Sequence, residues 1–101
     1  MDAIDRYIEQ HLSHKISVAQ LAGSVFLGES QFHSLFKEQM GITPHQYVLG
    51  KRIDMARDLI EQGHLTFGQI AEFTGFSSQS TFTHTFTRLQ GLSPSQYKKQ
   101  G

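Results

Sequence analysis

Between Glu29 and Met40 the apolar residues Phe32, Leu35 and Phe36 recur three or four positions apart, and further on Phe82, Phe86 and Leu89 do the same. That spacing puts one apolar stripe on an α-helix. Two helices are therefore predicted, over about 29–40 and about 78–90, with both stripes facing a core. Gly41 and Gly91 close them, as residues able to adopt the left-handed conformation that ends a helix. A shorter helix precedes each. Ser17, with Gln20 three residues on, reads as a capping box for a helix from Val18 to about Val25, and Thr66 with Gln69 repeats the arrangement. In the second set Gly75 supplies a positive φ and Ser77 is the expected cap of the next helix, so that 75–77 form a tight turn.

After each closing glycine a hydroxyl residue stands before a proline, Thr43-Pro44 and Ser93-Pro94, which marks the start of a further helix. The first of these runs long, from Pro44 to about Gln62. It carries Leu49, Ile53, Ala56 and Ile60 on one face and Val48, Met55 and Leu59 beside it, a breadth that suits burial between two units. A first helix from Asp2 to about Ser13 is expected to bury Ile4, Tyr7, Ile8 and Leu12.

The pattern is duplicated. Residues 36–47, FKEQMGITPHQY, align with 86–97, FTRLQGLSPSQY, at a constant offset of 50, whereas Gln20-Leu21-Ala22 aligns with Gln69-Ile70-Ala71 at 49. The second copy thus holds one extra residue between its helices. Recurrence in register signals a repeated structural unit. The expected fold is all-α with about seven helices: a helix-turn-helix unit over about 1–43, a linker helix over about 44–63, and a second helix-turn-helix unit over about 64–101.

Composition narrows the function. The chain of 101 residues has no cysteine, which excludes disulfides and thiolate metal sites. No apolar run approaches the roughly 18 residues of a membrane span, and residues 1–5 lack the basic and apolar character of a signal peptide, so a cytoplasmic location is expected. Enzyme chemistry is not expected: there is no glycine-rich phosphate loop, no HExxH, and no nucleophile with an orienting base. His11, His14, His45 and His64 read as surface histidines near helix ends, and no cofactor or metal is implied. A formal net charge of zero runs against nucleic-acid binding, which favours basic excess. The charge is uneven, however. Asp2, Asp5 and Glu9 sit in the first helix, and beyond Glu72 only Arg88, Lys98 and Lys99 are charged.

With the phenylalanine stripes inward, the opposite faces carry Ser30, His33, Ser34 and Lys37 in one unit and Ser80, Thr83, His84 and Thr87 in the other, with Gln79 at the margin. These short hydrogen-bonding side chains allow a helix to approach a major groove closely, and Gln and His can address purine edges. Two such helices in equivalent frames, about 34 Å apart, would enter successive grooves of one duplex. Thr66, Ser78 and Arg88 are candidate phosphate contacts. The competing reading is a helical module that offers the same surface to a protein such as RNA polymerase.

The segment Ile70-Ala71, Gly75-Phe76-Ser77, Gln79-Ser80, Phe82, Phe86 and Gly91-Leu92-Ser93-Pro94-Ser95-Gln96-Tyr97 resembles the second unit of the DNA-binding domain of AraC/XylS-family bacterial transcription regulators. Leu35-Phe36-Lys37, Gly41-Ile42-Thr43-Pro44, Tyr47, Arg52-Ile53 and Ala56-Arg57-Asp58-Leu59-Ile60 resemble its first unit and linker. The resemblance implies sequence-specific binding of double-stranded promoter DNA, base contacts at Ser30, His33, Ser34, Gln79, Ser80, Thr83 and His84, and an attached effector-sensing or signalling domain. No such domain lies in this sequence, which is expected to be an excised domain or a small free-standing regulator. Phe26 stands where the family often has a small residue or glycine, Gly28 where a capping serine is common, and Ser34 and His84 where arginine is frequent. The second unit is therefore expected to supply much of the sequence reading.

Overall fold

The computed structural model describes residues 2–100. Seven helices make up the described residues: α1 (Asp2–Gln10), α2 (Val18–Ser24), α3 (Glu29–Met40), α4 (Pro44–Gln62), α5 (Phe67–Phe73), α6 (Gln79–Gln90) and α7 (Pro94–Gln100). The protein is all-α, with two tandem helix-turn-helix units joined by α4. By contacts the chain divides into two compact units, Met1–Lys51 and Arg52–Gly101, and the division falls within α4. α1 stops at Gln10, short of the expected Ser13, and residues 11–13 form a turn in which the His11 and His14 amides bond back along the chain.

Four capping boxes start helices. Ser17 with Gln20, Thr43 with Gln46, Thr66 with Gln69 and Ser93 with Gln96 each exchange two bonds, the hydroxyl oxygen accepting from the glutamine backbone N–H at 3.1–3.2 Å and the glutamine Oε1 accepting from the cap residue's backbone N–H at 2.9 Å. Gln46 and Gln96, read from sequence only as letters of the repeat, have this job. Each box satisfies two donors that helix geometry leaves open.

In the first unit, α2 packs against α1 and α3. Ile4, Ile8, Leu12, Leu21, Ala22, Phe32, Phe36 and Val48 are buried. The Tyr47 hydroxyl donates to the Asp5 carboxylate, and the Lys51 ammonium lies 3.7 Å from the same carboxylate and over the Tyr47 ring. In the second unit α4 contributes Ile53, Ala56 and Ile60, α5 contributes Ile70 and Ala71, and α6 contributes Phe82 and Phe86 to one buried cluster. Tyr97 repeats Tyr47: its ring packs 5.7 Å from Phe86, as Tyr47 packs 5.2 Å from Phe36, and its hydroxyl donates to Glu61 at 2.8 Å. That bond to a carboxylate pushes the Tyr97 phenol pKa up.

Two expected core residues are not core. Leu35 is 39% exposed and Leu89 42%. Leu35 lies one residue before Phe36, hence about 100° round the helix from it and on the flank of the stripe. Leu89 keeps the right side of α6 but sits in its last turn, beyond the reach of the cluster that Phe82 and Phe86 enter. Thr74 and Thr85, by contrast, are buried. Thr74 Oγ1 donates to the Ile70 carbonyl at 2.7 Å, which satisfies the hydroxyl within its own helix end.

Both turns between α2 and α3 and between α5 and α6 are Schellman motifs. Leu27 N–H reaches the Ala22 carbonyl at 3.0 Å and Phe26 N–H the Gly23 carbonyl at 3.2 Å, while Phe76 N–H reaches Ala71 at 2.9 Å and Gly75 N–H reaches Glu72 at 3.1 Å. Phe26 is thus the counterpart of Gly75. Its φ is +61°, against +84° for Gly75, and its side chain is 96% exposed. A left-handed phenylalanine bears a penalty of roughly 1–2 kcal/mol, and glycine loses about 0.5–1 kcal/mol more chain entropy on folding. Phe26→Gly is expected to stabilise the protein by about 0.5–1 kcal/mol in chemical denaturation, since little packing is lost. A fall in stability would show that the exposed ring contributes contacts.

Candidate nucleic-acid interface

The expected cap at Ser77 is corrected by the structure. Ser78 is the N-cap of α6, its Oγ accepting from Thr81 N–H at 3.1 Å, so α6 begins at Gln79 and Ser77 is the inserted residue of the second turn. In the first turn Leu27 is followed directly by Gly28, the N-cap of α3, which has no side chain to cap with. The two turns keep the same hydrogen bonds despite the difference in length, and the insertion lets the second unit place a serine at the cap.

Arg52 holds the second turn from below. Its guanidinium is buried on α4 and Nη1 donates to the carbonyl of Thr74, the C-cap of α5, at 2.7 Å. Burial disfavours the charged form and pushes the guanidinium pKa down from its ordinary value. A bond from a charged donor at the end of α5 fixes where the turn leaves that helix, and so where α6 starts.

On the face of α6 opposite Phe82 and Phe86, Gln79, Ser80, Thr83, His84 and Thr87 line one shallow concavity. All five are side chains singled out from the sequence, and the structure brings them together. Thr83 is half-buried and the other four are exposed. The Thr87 hydroxyl donates to the Thr83 carbonyl at 2.7 Å, which leaves its oxygen lone pairs to face outward as acceptors. Among the described residues no carboxylate lines this concavity.

On α3 the equivalent face gathers Ser30, His33 and Ser34 with Val18 and Glu29. Lys37 is exposed in the last turn of α3 and lies outside that lining. Glu29 was not among the expected site residues, although the 50-residue offset aligns it with Gln79. A carboxylate at that position would repel phosphate and base acceptors alike, so the two faces differ in electrostatics as well as in capping.

The expected phosphate contacts are spread over two helices. Thr66 is the N-cap of α5, with its oxygen taken by Gln69 N–H; Ser78 caps α6 and donates its own proton to Thr81 Oγ1 at 3.0 Å; Arg88 is exposed in the last turn of α6. Among the described residues no three His, Asp or Glu side chains gather as a metal site would need, and no helix is long and apolar enough to cross a membrane.

The capped turns and the two outward polar helices define a tandem helix-turn-helix protein. A family model described as a helix-turn-helix domain matches residues 21–100. The chain is 57% identical over 98 residues to the probable transcriptional regulator LumQ of Photobacterium leiognathi, covering 97% of this chain and 40% of that relative. It is 27% identical over 100 residues to the MmsAB operon regulatory protein of Pseudomonas aeruginosa, covering 99% of this chain and 33% of that protein. Among solved structures, a transcriptional regulator from Chromobacterium violaceum described as AraC-type superposes with a TM-score of 0.91 at 27% identity, over 98% of this chain and 88% of that one. The DNA-binding domain of AdpA, solved in complex with a target DNA, superposes with a TM-score of 0.86 at 25% identity, over 95% of this chain and 86% of that one. The chain belongs to the helix-turn-helix domain family, in its AraC type. It spans 33–40% of the length of these two curated relatives.

Proposed function

We propose that this chain binds double-stranded promoter DNA in a sequence-specific manner to regulate bacterial transcription, with α3 and α6 as recognition helices in successive major grooves. The observation that carries the proposal is the outward face of α6. Five hydrogen-bonding side chains, free of carboxylates, are presented there on a helix whose start is fixed by a capped turn and a buried arginine. An α-helix fits a B-form major groove, and donors and acceptors of this length meet base edges there. The family and the DNA complex of AdpA support the same reading.

Gln79, Ser80, Thr83, His84 and Thr87 read bases from the second unit, and Ser30, His33, Ser34 and Lys37 contact DNA from the first. Thr66, Ser78 and Arg88 meet phosphate oxygens; Arg88 does so by charge, and Ser78 by giving up its bond to Thr81. In the whole protein we assign an effector-sensing or signalling domain to segments outside this domain, and RNA polymerase as a further partner. The setting is the cytoplasm, and the role is one of binding and not of catalysis. Selection of bound duplexes from a random library tests the proposal: an enriched motif supports it, and recovery of unenriched sequence overturns it.

A further inference from the structure

α5 carries a glycine in its first turn. Gly68 follows Phe67, and helix formers are favoured over glycine at such positions. A Cβ built on Gly68 would lie 3.3 Å from Oε1 of Gln79 and 3.9 Å from Oγ1 of Thr66. The first distance is tighter than ordinary carbon to oxygen contact. The amide oxygen of Gln79 therefore lies close against the first turn of α5, where a side chain at 68 would crowd it. The duplicated unit has neither residue: the offsets align Gly68 with Ala19, which carries a Cβ, and Gln79 with Glu29. The glycine and the glutamine occur together in the unit whose concavity has no carboxylate, and both are absent from the other.

We infer that Gly68 is a positioning residue for base reading, resting on the DNA-binding function proposed above: by lacking a side chain it lets the Gln79 amide fold against α5, and so sets which base-pair edge that amide addresses. A glutamine amide offers a carbonyl acceptor and two N–H donors. With its carbonyl oxygen toward Gly68, the amide has its two N–H donors left for the concavity that Gln79 shares with Ser80, Thr83, His84 and Thr87. Donors directed into the groove favour base edges that present acceptors there, the O6 and N7 of guanine or the O4 of thymine, over the donor edge of cytosine. A Cβ at 68 crowds that oxygen, shifts the amide and relaxes that preference.

The test compares the unsubstituted chain, Gly68→Ala, Gln79→Ala and the double variant on the selected duplex and on its three single-base-pair variants at the position where Gln79→Ala loses discrimination. Gly68→Ala is expected to reduce discrimination at that base pair by about 5- to 10-fold, within the range one base contact supplies, with the other positions unchanged. In the Gln79→Ala background it is expected to have no further effect. Unchanged discrimination, or an equal loss of affinity on all four duplexes in both backgrounds, overturns the inference. The side-chain N–H resonances of Gln79 in the free protein should also move on Gly68→Ala, and their staying in place overturns it as well. Because the contact is with the far end of a flexible side chain, the variant should melt at or above the parent's midpoint; a large fall means that residue 68 serves the fold alone and overturns the inference. Absence of any selected motif for the unsubstituted chain would overturn the DNA-binding proposal itself, whereas a clear motif that Gly68→Ala leaves untouched removes only the role of Gly68.

Discussion

Phe82→Ala is expected to lower the stability of the second unit by about 3–5 kcal/mol, the range for truncating a buried phenylalanine where the surroundings cannot collapse into the cavity. Phe82 is fully buried and packs its ring 5.5 Å from Phe76 and 5.7 Å from Phe86, in the cluster shared by α4, α5 and α6. It therefore joins the turn, the recognition helix and the linker helix. A domain of this size has about 5–15 kcal/mol in total, so the loss should unfold a visible fraction of molecules on mild heating. Leu89→Ala, three or four residues from the same stripe but exposed, should cost under about 1 kcal/mol. Chemical denaturation followed by far-UV circular dichroism distinguishes them. Similar losses for the two variants would mean that the core does not end at Phe86.

Thr83→Ala and His84→Ala should act on binding and leave the fold intact. Each is expected to lose about 1–3 kcal/mol on the selected duplex and much less on random DNA, as base contacts do. The two side chains line the α6 concavity, and neither belongs to the buried cluster. A histidine lacks the fixed charge of arginine, so the effect of His84 should be concentrated on the selected sequence. Equal losses on both kinds of DNA, measured by titration at one fixed salt concentration, would reassign these residues to backbone contact.

Much of the fold was legible because it is written in local chemistry. Capping boxes, closing glycines and proline starts are short-range signals, and their recurrence 50 residues apart made the tandem plan readable from one chain. The exposed face of α6 followed from the Phe82 and Phe86 stripe by helical geometry alone. What escaped depended on three-dimensional fit. Two adjacent serines, Ser77 and Ser78, both satisfy the residue preference of a cap, and only the position of the inserted residue decides that Ser78 takes it. Leu35 and Leu89 satisfy the spacing of a stripe, but burial ends where the neighbouring helices end. Phe26 was visible as a departure from a small residue, yet its left-handed backbone and bare ring were not. Arg52 and Gly68 act through partners 22 and 11 positions away, Thr74 and Gln79, and no periodicity announces such pairs.

The two units are built alike and equipped differently. The second has a glycine in its turn, a serine cap, a buried arginine bracing the turn and a recognition face without carboxylates. The first has Phe26, an uncapped Gly28 and Glu29 at the corresponding places. The division of labour expected from this difference is that α6 supplies much of the base reading while α3 adjusts affinity.

The spacing of the motif recovered by duplex selection tests the central claim most directly. The account predicts two half-sites centred about one helical turn, roughly 34–36 Å, apart, with the stronger base preference in the half-site that loses discrimination on Gln79→Ala or His84→Ala. A single half-site, whose preferences respond only to substitutions in α3, would contradict it.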